Sequence, residues 1–589
     1  MRVPVDQNLA RRKRASVSPT TAKAGFGSCL ALAALIGLPH PAAAATLYAS
    51  PTGTATAGCT SRADACTLAT ATAAAVAGDT VVLMDGIYHE PLNAQSSGTA
   101  AAWITFQADQ CATPIIEGPG VGPTDNDQAS GVQSSTAEYV RFVGLVSRGW
   151  SSGFSNGWAG GVDSGVVSNG HWEIESCIAY SNGRTGFTFF SASDFHLKSS
   201  ISAHNGSNTV ASWSSGVTLF EATGTNLVEG SVSFENTDGQ QHTDGSGFIV
   251  DEGSNGATFL DNLAFGNSGS CLRLTRSSGT RFINNTCYRN SQFGSMATGP
   301  SNPGELYFTN AGVTVQGVTF MNNVIVATGQ APAGSQAVIN QPTTGFTSNV
   351  VTTGTPTFFT APTGTNPSFV PAATDTQLTR KGATGSGVPT TDIGLDPKCI
   401  VKRTPVMVGQ VARVSTWQFD IDIDYIKSIG GVAKCFNPGA RSGTPDIGAY
   451  RAATVTTVTP GSCVPPVVSG TGGTSGTGGT TGTGGAGAPR DGGAGDGATD
   501  AGKAGSGGAT GSGGGPSAGS GGTGAGGIIG SGGAVATGAG GSQAMGHGGG
   551  NAGCSCTAAG DSVSGAGLAA LLLITAGVLF RDRRRRKRA

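Results

Sequence analysis

The chain has 589 residues, of which 98 are glycine and only 12% are charged, and its formal net charge is -1. A composition so rich in glycine and so poor in charge indicates that part of the chain does not fold into a globular domain. The near-zero net charge, with basic residues concentrated at the two ends, argues against a broad electropositive surface and excludes nucleic acid as an expected partner.

The N-terminal segment has the order of parts that an export signal needs. A basic stretch, Arg11–Arg14, precedes an apolar run, Cys29–Leu38, and four alanines follow. Basic, apolar and small residues in this order are typical of a secretory signal peptide. We therefore predict that residues 1–45 are removed on export and that the mature chain begins at Thr46.

A sequence repeat fills the middle of the chain. Five seven-residue segments align without gaps and end in asparagine: Ser176–Asn182, Ser199–Asn205, Gly230–Asn236, Asp261–Asn267 and Asn284–Asn290. Period-two patterning within each segment indicates a strand. Strands at a short, nearly fixed period predict a solenoid with coils of about 23 residues, two of them longer by about eight.

A second apolar segment follows each of the first four asparagines, so every coil has at least two strands. These segments are Gly186–Phe190, Gly216–Phe220, Gly247–Val250 and Cys271–Leu274. The fold class is therefore all-β. The column of asparagines predicts an internal ladder at a turn, in which each side-chain amide bonds to its equivalent in the next coil.

The ends of the repeat region resemble a known superfamily. Cys66–Ala75 and Gly78–Tyr88 look like the capping helix and first coil of the pectate-lyase-like superfamily, and Thr444–Tyr450 resembles the closing motif of many bacterial surface β-helix proteins. The resemblance implies a right-handed parallel β-helix solenoid with an N-terminal capping helix over residues 46–466. Clear coil repeats are expected in 139–330 and a C-terminal closing region in 331–466, with a polysaccharide as substrate or ligand.

The remainder of the chain is predicted to be a stalk and an anchor. Residues 467–553 are mostly Gly, Ser, Thr and Ala, which bury too little apolar surface to fold, and are expected to form a disordered linker. In residues 554–589, Cys554 and Cys556 precede an uncharged run, Val563–Phe580, which is a membrane-span candidate, and an arginine-rich tail. This order resembles the myxobacterial C-terminal sorting signal, which implies a cell-surface protein with the membrane and the sorting machinery as partners.

Nine cysteines lie between the export signal and Cys554, and in an exported chain they are expected to form disulfides. Cys59 with Cys66, and Cys399 with Cys435, are the first expected pairs, because each pair lies within one local segment. An odd number leaves at least one thiol that is free or bonds elsewhere. No cysteine or histidine spacing is typical of a zinc site.

Two adjacent coils contain the candidate site. Both are lengthened directly after the asparagine, so their insertions are predicted to project side by side from one face. Four residues in the second insertion and in the coil after it are candidate catalytic residues: Asp238, His242, Asp244 and Arg273. Trp213, Asp251 and Arg276 are expected to bind substrate.

The composition of this cluster predicts a polysaccharide lyase that cleaves an acidic glycan by β-elimination. Asp244, Asp251 and Glu252 would hold Ca²⁺ as cofactor to neutralise a uronate, and the resemblance to polysaccharide lyases implies Arg273 as the base. A glycoside hydrolase is an alternative, since Asn236–Gly239 matches the first motif of polygalacturonase-like hydrolases. A non-catalytic glycan-binding or adhesin-like protein is the other, because the aspartate and glycine pairs in this insertion also fit ordinary turns.

Overall fold

The computed structural model describes residues 43–120, 130–134, 136–156, 169–208, 213–239, 244–291, 304–309, 315–327, 337–340, 342, 344–354, 356–403, 419–452, 457, 459–461 and 463. The predicted signal up to residue 42, the linker and the C-terminal anchor lie outside the described residues. In the part of the chain that is described, no helix is long and apolar enough to span a membrane.

The described residues form 34 strands, two α-helices and three short 3-10 helices. The α-helices are α1 (Leu68–Ala74) and α2 (Ile423–Ile429), and the 3-10 helices cover Arg62–Asp64, Pro397–Cys399 and Val432–Cys435. In chain order the strands are β1 (Thr46–Thr54), β2 (Thr80–Leu83), β3 (Gly86–Tyr88), β4 (Leu92–Asn93), β5 (Ile104–Ala108), β6 (Pro114–Glu117), β7 (Val132–Gln133), β8 (Val140–Val143), β9 (Val146–Arg148), β10 (Phe154–Ser155), β11 (Trp172–Glu175), β12 (Ile178–Tyr180), β13 (Phe187–Phe190), β14 (His196–Lys198), β15 (Ile201–Ala203), β16 (Val217–Phe220), β17 (Leu227–Glu229), β18 (Val232–Phe234), β19 (Phe248–Asp251), β20 (Thr258–Leu260), β21 (Leu263–Phe265), β22 (Leu272–Thr275), β23 (Arg281–Ile283), β24 (Thr286–Tyr288), β25 (Leu306–Thr309), β26 (Thr319–Met321), β27 (Val324–Ala327), β28 (Val338–Ile339), β29 (Phe346–Thr347), β30 (Val350–Thr353), β31 (Phe359–Ala361), β32 (Ser368–Pro371), β33 (Ile400–Lys402) and β34 (Phe419–Ile421).

Three long sheets run along the solenoid, and each coil adds a strand to each sheet in turn. Sheet A has the order β1-β2-β5-β8-β11-β14-β17-β20-β23-β26-β29, and sheet B has the order β3-β6-β9-β12-β15-β18-β21-β24-β27-β30. Sheet C has the order β4-β7-β10-β13-β16-β19-β22-β25-β28. The strands pair in parallel, as in β11 with β14, β12 with β15 and β13 with β16. The predicted parallel β-helix is confirmed, with three strands in each coil.

Helix α1 covers one end of the solenoid, as the sequence predicted. It packs against β1, β2 and β4, and Leu68 and Ala71 are fully buried in the solenoid core. The side chain of Thr67 caps the helix by accepting from the N–H of Thr70, and the Glu90 carboxylate accepts from the N–H of Leu68 at 3.0 Å. The helix therefore shields apolar side chains of the first coil from water.

The asparagine ladder is confirmed at the turn from sheet B to sheet C. The side-chain N–H of each asparagine donates to the side-chain oxygen of the next at 2.7–2.9 Å, along Asn182, Asn205, Asn236, Asn267 and Asn290. All five residues are buried. The ladder continues onto the buried carboxylate of Glu305, which accepts from both the backbone N–H and the side-chain N–H of Asn290.

A second ladder, which the sequence did not predict, lies at the two-residue turn from sheet A to sheet B. It connects Asn262, Asn285, Asn323 and Asn349 through side-chain bonds of 2.9–3.1 Å. In the preceding coils Ser200 and Ser231 occupy the same position. Their hydroxyls accept from the backbone N–H groups of Cys177 and Ser200, each in the coil before. The two columns of polar side chains satisfy buried turn groups that the strand pairing leaves without a partner.

The described residues of 356–463, called here the C-terminal strap, do not add coils. They contain two antiparallel strand pairs, β31 with β32 and β33 with β34, and they pack on the outer face of sheet B. The motif Thr444–Tyr450 also lies on this face, where the N–H of Ala449 donates to the hydroxyl of Thr286 at 3.0 Å. Within the predicted closing region, the described residues up to Thr353 extend the coils, and the strap packs on sheet B.

Four disulfides join the described residues. Cys59–Cys66 and Cys399–Cys435 are the two predicted pairs, and both are confirmed. Cys111–Cys463 and Cys271–Cys287 were not predicted, because their partners belong to different coils or to the strap. Cys177 is a free, buried thiol, and it accounts for the odd number of cysteines.

Candidate functional site

The outer face of sheet C carries two rows of side chains that stand in register from coil to coil. One row contains Thr188, Thr218, Ile249, Arg273 and Tyr307, and the other contains Phe190, Phe220 and Asp251. Residues between these positions, such as Leu272 and Leu274, point into the solenoid core. Strand alternation therefore fixes which side chains of sheet C point outward. Among them Thr188, Ile249 and Tyr307 are buried, and the others are partly exposed.

The two predicted insertions lie side by side where they are described. The N–H of Gly239, in the second insertion, donates to the carbonyl of Gly206, in the first, at 2.8 Å, and Gly245 donates to Ser214 at 2.7 Å. Asp238 is fully buried at the base of the second insertion, where its carboxylate accepts from the N–H of Asp244 at 3.3 Å. Asp238 is thus bonded directly to the backbone of Asp244.

Asp244 and Arg273 are brought together, as expected for two members of one site. Their side chains form an ion pair, and Asp244 is only 6% exposed. Arg273 also lies over the ring of Tyr307, with 5.8 Å between the guanidinium carbon and the ring centroid. The guanidinium is therefore held between a carboxylate from one neighbouring coil and an aromatic ring from the other.

Burial raises the pKa of the Asp244 carboxyl to about 7. The positive charge of Arg273 opposes this shift, and the negative charges of Asp238 and Asp251 add to it. Burial also raises the pKa of Asp251, again against the effect of Arg273. A carboxyl group that titrates near neutral pH can serve as a general acid or a general base, depending on its protonation state.

The carboxylates predicted to hold Ca²⁺ do not form one site. Over the described ranges, no group of three or more His, Cys, Asp or Glu side chains could hold a metal ion. Asp244 is paired with Arg273, and Glu252 is paired with Arg276 at 2.6 Å. Because two of the three predicted ligands already neutralise guanidinium groups, the residues present do not fit a Ca²⁺ ion.

Of the other predicted residues, Asp251 interacts electrostatically with both Asp244 and Arg273. Trp213 belongs to the first insertion and is 62% exposed, so its ring is accessible to solvent. Arg276 and Glu252 follow the ends of their strands, in the turns that lead back to sheet A. His242 lies outside the described residues.

Three features of this face were missed at the sequence level. The rings of Phe190 and Phe220 stack at 4.6 Å and are partly exposed, in line with Asp251. Tyr307 was missed because its segment lies beyond the five aligned repeats. The disulfide Cys271–Cys287 fixes the start of the strand that carries Arg273. The signal for the phenylalanines was present: both occupy the last position of the apolar segments that follow the asparagines.

The strand pairing defines this chain as a parallel β-helix protein with a charged cluster on one outer face. No protein-family model matches the sequence, and no curated protein matches it.

Several solved structures are similar to the chain at low identity. The pectate lyase Pel9A is 17% identical with a TM-score of 0.42, and the match covers 59% of this chain and 93% of that chain. An alginate lyase from Paenibacillus sp. str. FPU-7 is 16% identical with a TM-score of 0.26, covering 46% of this chain and 98% of that one. A lacto-N-biosidase from Eubacterium ramulus is 12% identical with a TM-score of 0.31, covering 53% and 68%. These scores are low, and the fold described above rests on the strand pairing alone.

Proposed function

We propose that this protein cleaves a uronate-containing polysaccharide by β-elimination on the outer face of sheet C. The observation that carries the proposal is the Asp244–Arg273 pair, in which a buried carboxyl with a pKa of about 7 contacts a partly buried guanidinium on the outer face of sheet C. β-Elimination needs a group that neutralises the uronate carboxylate and a base that removes the proton at C5. Arg273 and Asp244 supply these two properties.

The roles follow from the chemistry of the two side chains. An arginine paired with a carboxylate keeps its proton, which makes Arg273 a poor base and a good partner for a uronate carboxylate. When the substrate carboxylate binds Arg273, Asp244 loses its stabilising positive charge and becomes a stronger base. Asp244 then takes the C5 proton, the electron pair forms the C4–C5 double bond, and the C4–O bond breaks to release the leaving chain.

The rest of the face supports binding of a sugar chain along the solenoid axis. Phe190 and Phe220 offer a partly exposed apolar surface in the coils before Asp244, and sugar rings pack on such surfaces. Trp213 lies in the adjoining insertion with an exposed ring. A sugar chain bound along this face would contact the apolar rings in the earlier coils and the charged cluster in the later ones.

The test is a substrate panel with the purified fragment 46–466. We expect pectate, alginate or another uronate to give new ultraviolet absorbance from unsaturated ends, and we expect a chelator to have no effect. Arg273→Lys should lower activity strongly, because lysine lacks the planar set of donors that suits a uronate carboxylate, whereas the matched control Arg141→Lys on sheet A should not. Absence of both unsaturated ends and new reducing ends across a broad panel would refute an enzymatic role.

Hydrolysis is the second candidate, and the grouping of Asp244 with Asp251 favours it. Both pKa values are raised, and each is influenced by Arg273. A hydrolase needs one carboxylic acid and one carboxylate across the scissile bond, and Asp244 is the acid below pH about 7. New reducing ends without ultraviolet absorbance would assign this chemistry. Binding to a glycan without either product would leave the protein as a glycan-binding module.

We propose further that the protein is exported and held at the cell surface through its C-terminal segment. Four disulfides in the folded part support an oxidising compartment. The export signal and the sorting-type C-terminus of the sequence support the same location. Protease treatment of intact cells should remove the folded part from the full chain, and deletion of residues 554–589 should release it into the medium. Protection from the protease would contradict the surface location.

A further inference from the structure

The C-terminal strap is a separate layer that is held differently from the coils beneath it. Each coil is fixed by parallel strand pairing in three sheets, whereas the described residues of the strap form two short antiparallel strand pairs and two isolated antiparallel bridges. Its attachment to sheet B combines side-chain packing, as in Phe369 against Phe265 and Tyr288, with single hydrogen bonds and ion pairs at separate points, as in Arg441 with Asp261. A layer held by such contacts can be peeled from one end, since the contacts break one after another.

The path of the strap carries the chain back toward the first coils. Phe419 contacts the middle of the solenoid, where its N–H donates to the Glu235 carboxylate at 3.0 Å and its carbonyl accepts from His204 at 2.7 Å. The turn after α2 reaches the first coils, because a side chain at Gly431 would lie 2.7 Å from the carbonyl of Ala112.

The strap then crosses to the later coils and returns once more. Arg441 forms a buried ion pair with Asp261 at 2.7 Å. Gly448 donates to the carbonyl of Asn322 at 2.7 Å, and Gly461 donates to Ser428. The described part of the chain ends at Cys463, which is bonded to Cys111 across a sequence separation of 352 residues.

Cys111 is well placed to receive a pull on Cys463. It lies in the turn between β5 and β6, and both strands pair with neighbours on either side, β5 with β2 and β8 and β6 with β3 and β9. Force arriving at Cys111 therefore meets a coil that is fixed from both directions. Without the disulfide, a force applied at Cys463 would instead act on the end of the strap.

We propose that the Cys111–Cys463 disulfide is a mechanical clamp, which passes a pull on the C-terminal segment directly to the early coils and keeps it off the strap. The strap then lies within a covalently closed loop and stays on sheet B while the C-terminal segment is under tension. The value of the clamp to a cell rests on the proposed surface attachment. The mechanical effect of the clamp on the folded protein does not depend on that attachment.

Single-molecule pulling tests the clamp directly. Residues 46–553 would be held by a handle at each end and stretched as the wild type and as the double variant Cys111→Ser with Cys463→Ser. We expect the first unfolding event of the double variant at a clearly lower force, because the strap is peeled before any coil opens. A first event at the wild-type force would overturn the proposal, since the packing of the strap alone would then bear the load.

Hydrogen exchange on unstretched protein gives an independent readout. In the double variant, amides of the strap around α2 should exchange about tenfold faster or more, while sheets A and C keep the wild-type rates. The matched control, Cys59→Ser with Cys66→Ser, removes a local disulfide and should leave the strap unchanged. Wild-type exchange of the strap in the double variant, or equal acceleration of strap and coils, would contradict a separately clamped layer. Neither experiment depends on enzymatic activity.

Discussion

The outer faces of sheets B and C come from the same coils, yet they have different surroundings. On sheet B the outward residues Ile178, Ile201, Val232 and Leu263 form a column that is buried under the strap in a second hydrophobic core. On sheet C the outward rows carry the partly exposed Phe190–Phe220 stack and the Asp251 and Arg273 side chains. One face binds the chain's own C-terminal strap, and the other exposes charged and aromatic side chains in part.

The interior of the solenoid explains why sheet B needs a cover. Sheets B and C approach closely inside: the hydroxyls of Ser202 and Ser233 donate to Gly216 and Gly247 at 2.8 and 2.9 Å, and a side chain at Gly216 would collide with Ser233. In these middle coils the inner side of sheet B carries only small side chains, those of Ala179, Ser202, Ser233 and Ala264. Its large apolar residues must therefore point outward, where the hydrophobic effect favours a covering layer.

Among the tests of the difference between sheets B and C, the largest effect is expected at Asp244. Asp244→Asn keeps the shape of the side chain and removes the titrating group, so kcat/KM should fall by roughly 10²–10⁴-fold. Steady-state kinetics on the substrate identified by the panel, together with Tm, would measure it. The matched control Glu173→Gln, on the exposed face of sheet A, should retain wild-type activity. Full activity in Asp244→Asn would show that the active site does not lie on sheet C.

Removing one phenylalanine from each face should separate stability from binding. Phe234 on sheet B is fully buried and stacks on Phe265, so Phe234→Ala should lower the free energy of unfolding by about 3–5 kcal/mol. Phe220→Ala on sheet C should cost less stability, because its ring is partly exposed, and should raise KM. Denaturant titration and kinetics measure the two effects. Equal stability losses would show that the sheet C ring is also a core residue.

The pH dependence of activity should distinguish the two candidate reactions. Asp244 is a base only in its ionised form, so kcat/KM for β-elimination should rise about tenfold between one unit below and one unit above its pKa of about 7. A hydrolase using the protonated Asp244 as acid should lose activity over the same range. A pH profile that is flat through neutrality would show that Asp244 does not transfer the proton.

The smallest expected effect lies at the corner between the two faces, where the asparagine ladder meets Glu305. Burial raises the pKa of Glu305 to about 8, against the two N–H groups donated by Asn290. The folded protein thus keeps a proton that the unfolded chain loses near its ordinary pKa, and stability falls as the pH rises from about 4.5 toward 8. Glu305→Gln should raise Tm by a few degrees above pH about 8 and have little effect below pH about 5. A Tm gain that is the same at both pH values would indicate a packing effect instead.

The sequence predicted much of the solenoid, because repeated coils place equivalent residues in equivalent positions. The five aligned segments located the asparagine ladder, and the extra residues after Asn205 and Asn236 located the adjacent insertions. The pairing of Asp244 with Arg273 follows from one coil being stacked on the next. The position of both cysteines within one local segment was also enough to identify the disulfides Cys59–Cys66 and Cys399–Cys435.

Other features depended on contacts between residues far apart in the chain, which no local pattern specifies. The strap, the disulfide Cys111–Cys463 and the burial of residues 445–450 on sheet B arise only once the solenoid has formed a surface to cover. The carboxylates of Asp244 and Glu252 looked like metal ligands in sequence, but stacking of the coils gave each an arginine partner. The sequence by itself determined the period of the coil and the position of the candidate face. The tertiary structure decided which outward column is covered and which is exposed. The covered column is the one on which the non-repeating strap packs, and no repeat in the sequence specifies that contact.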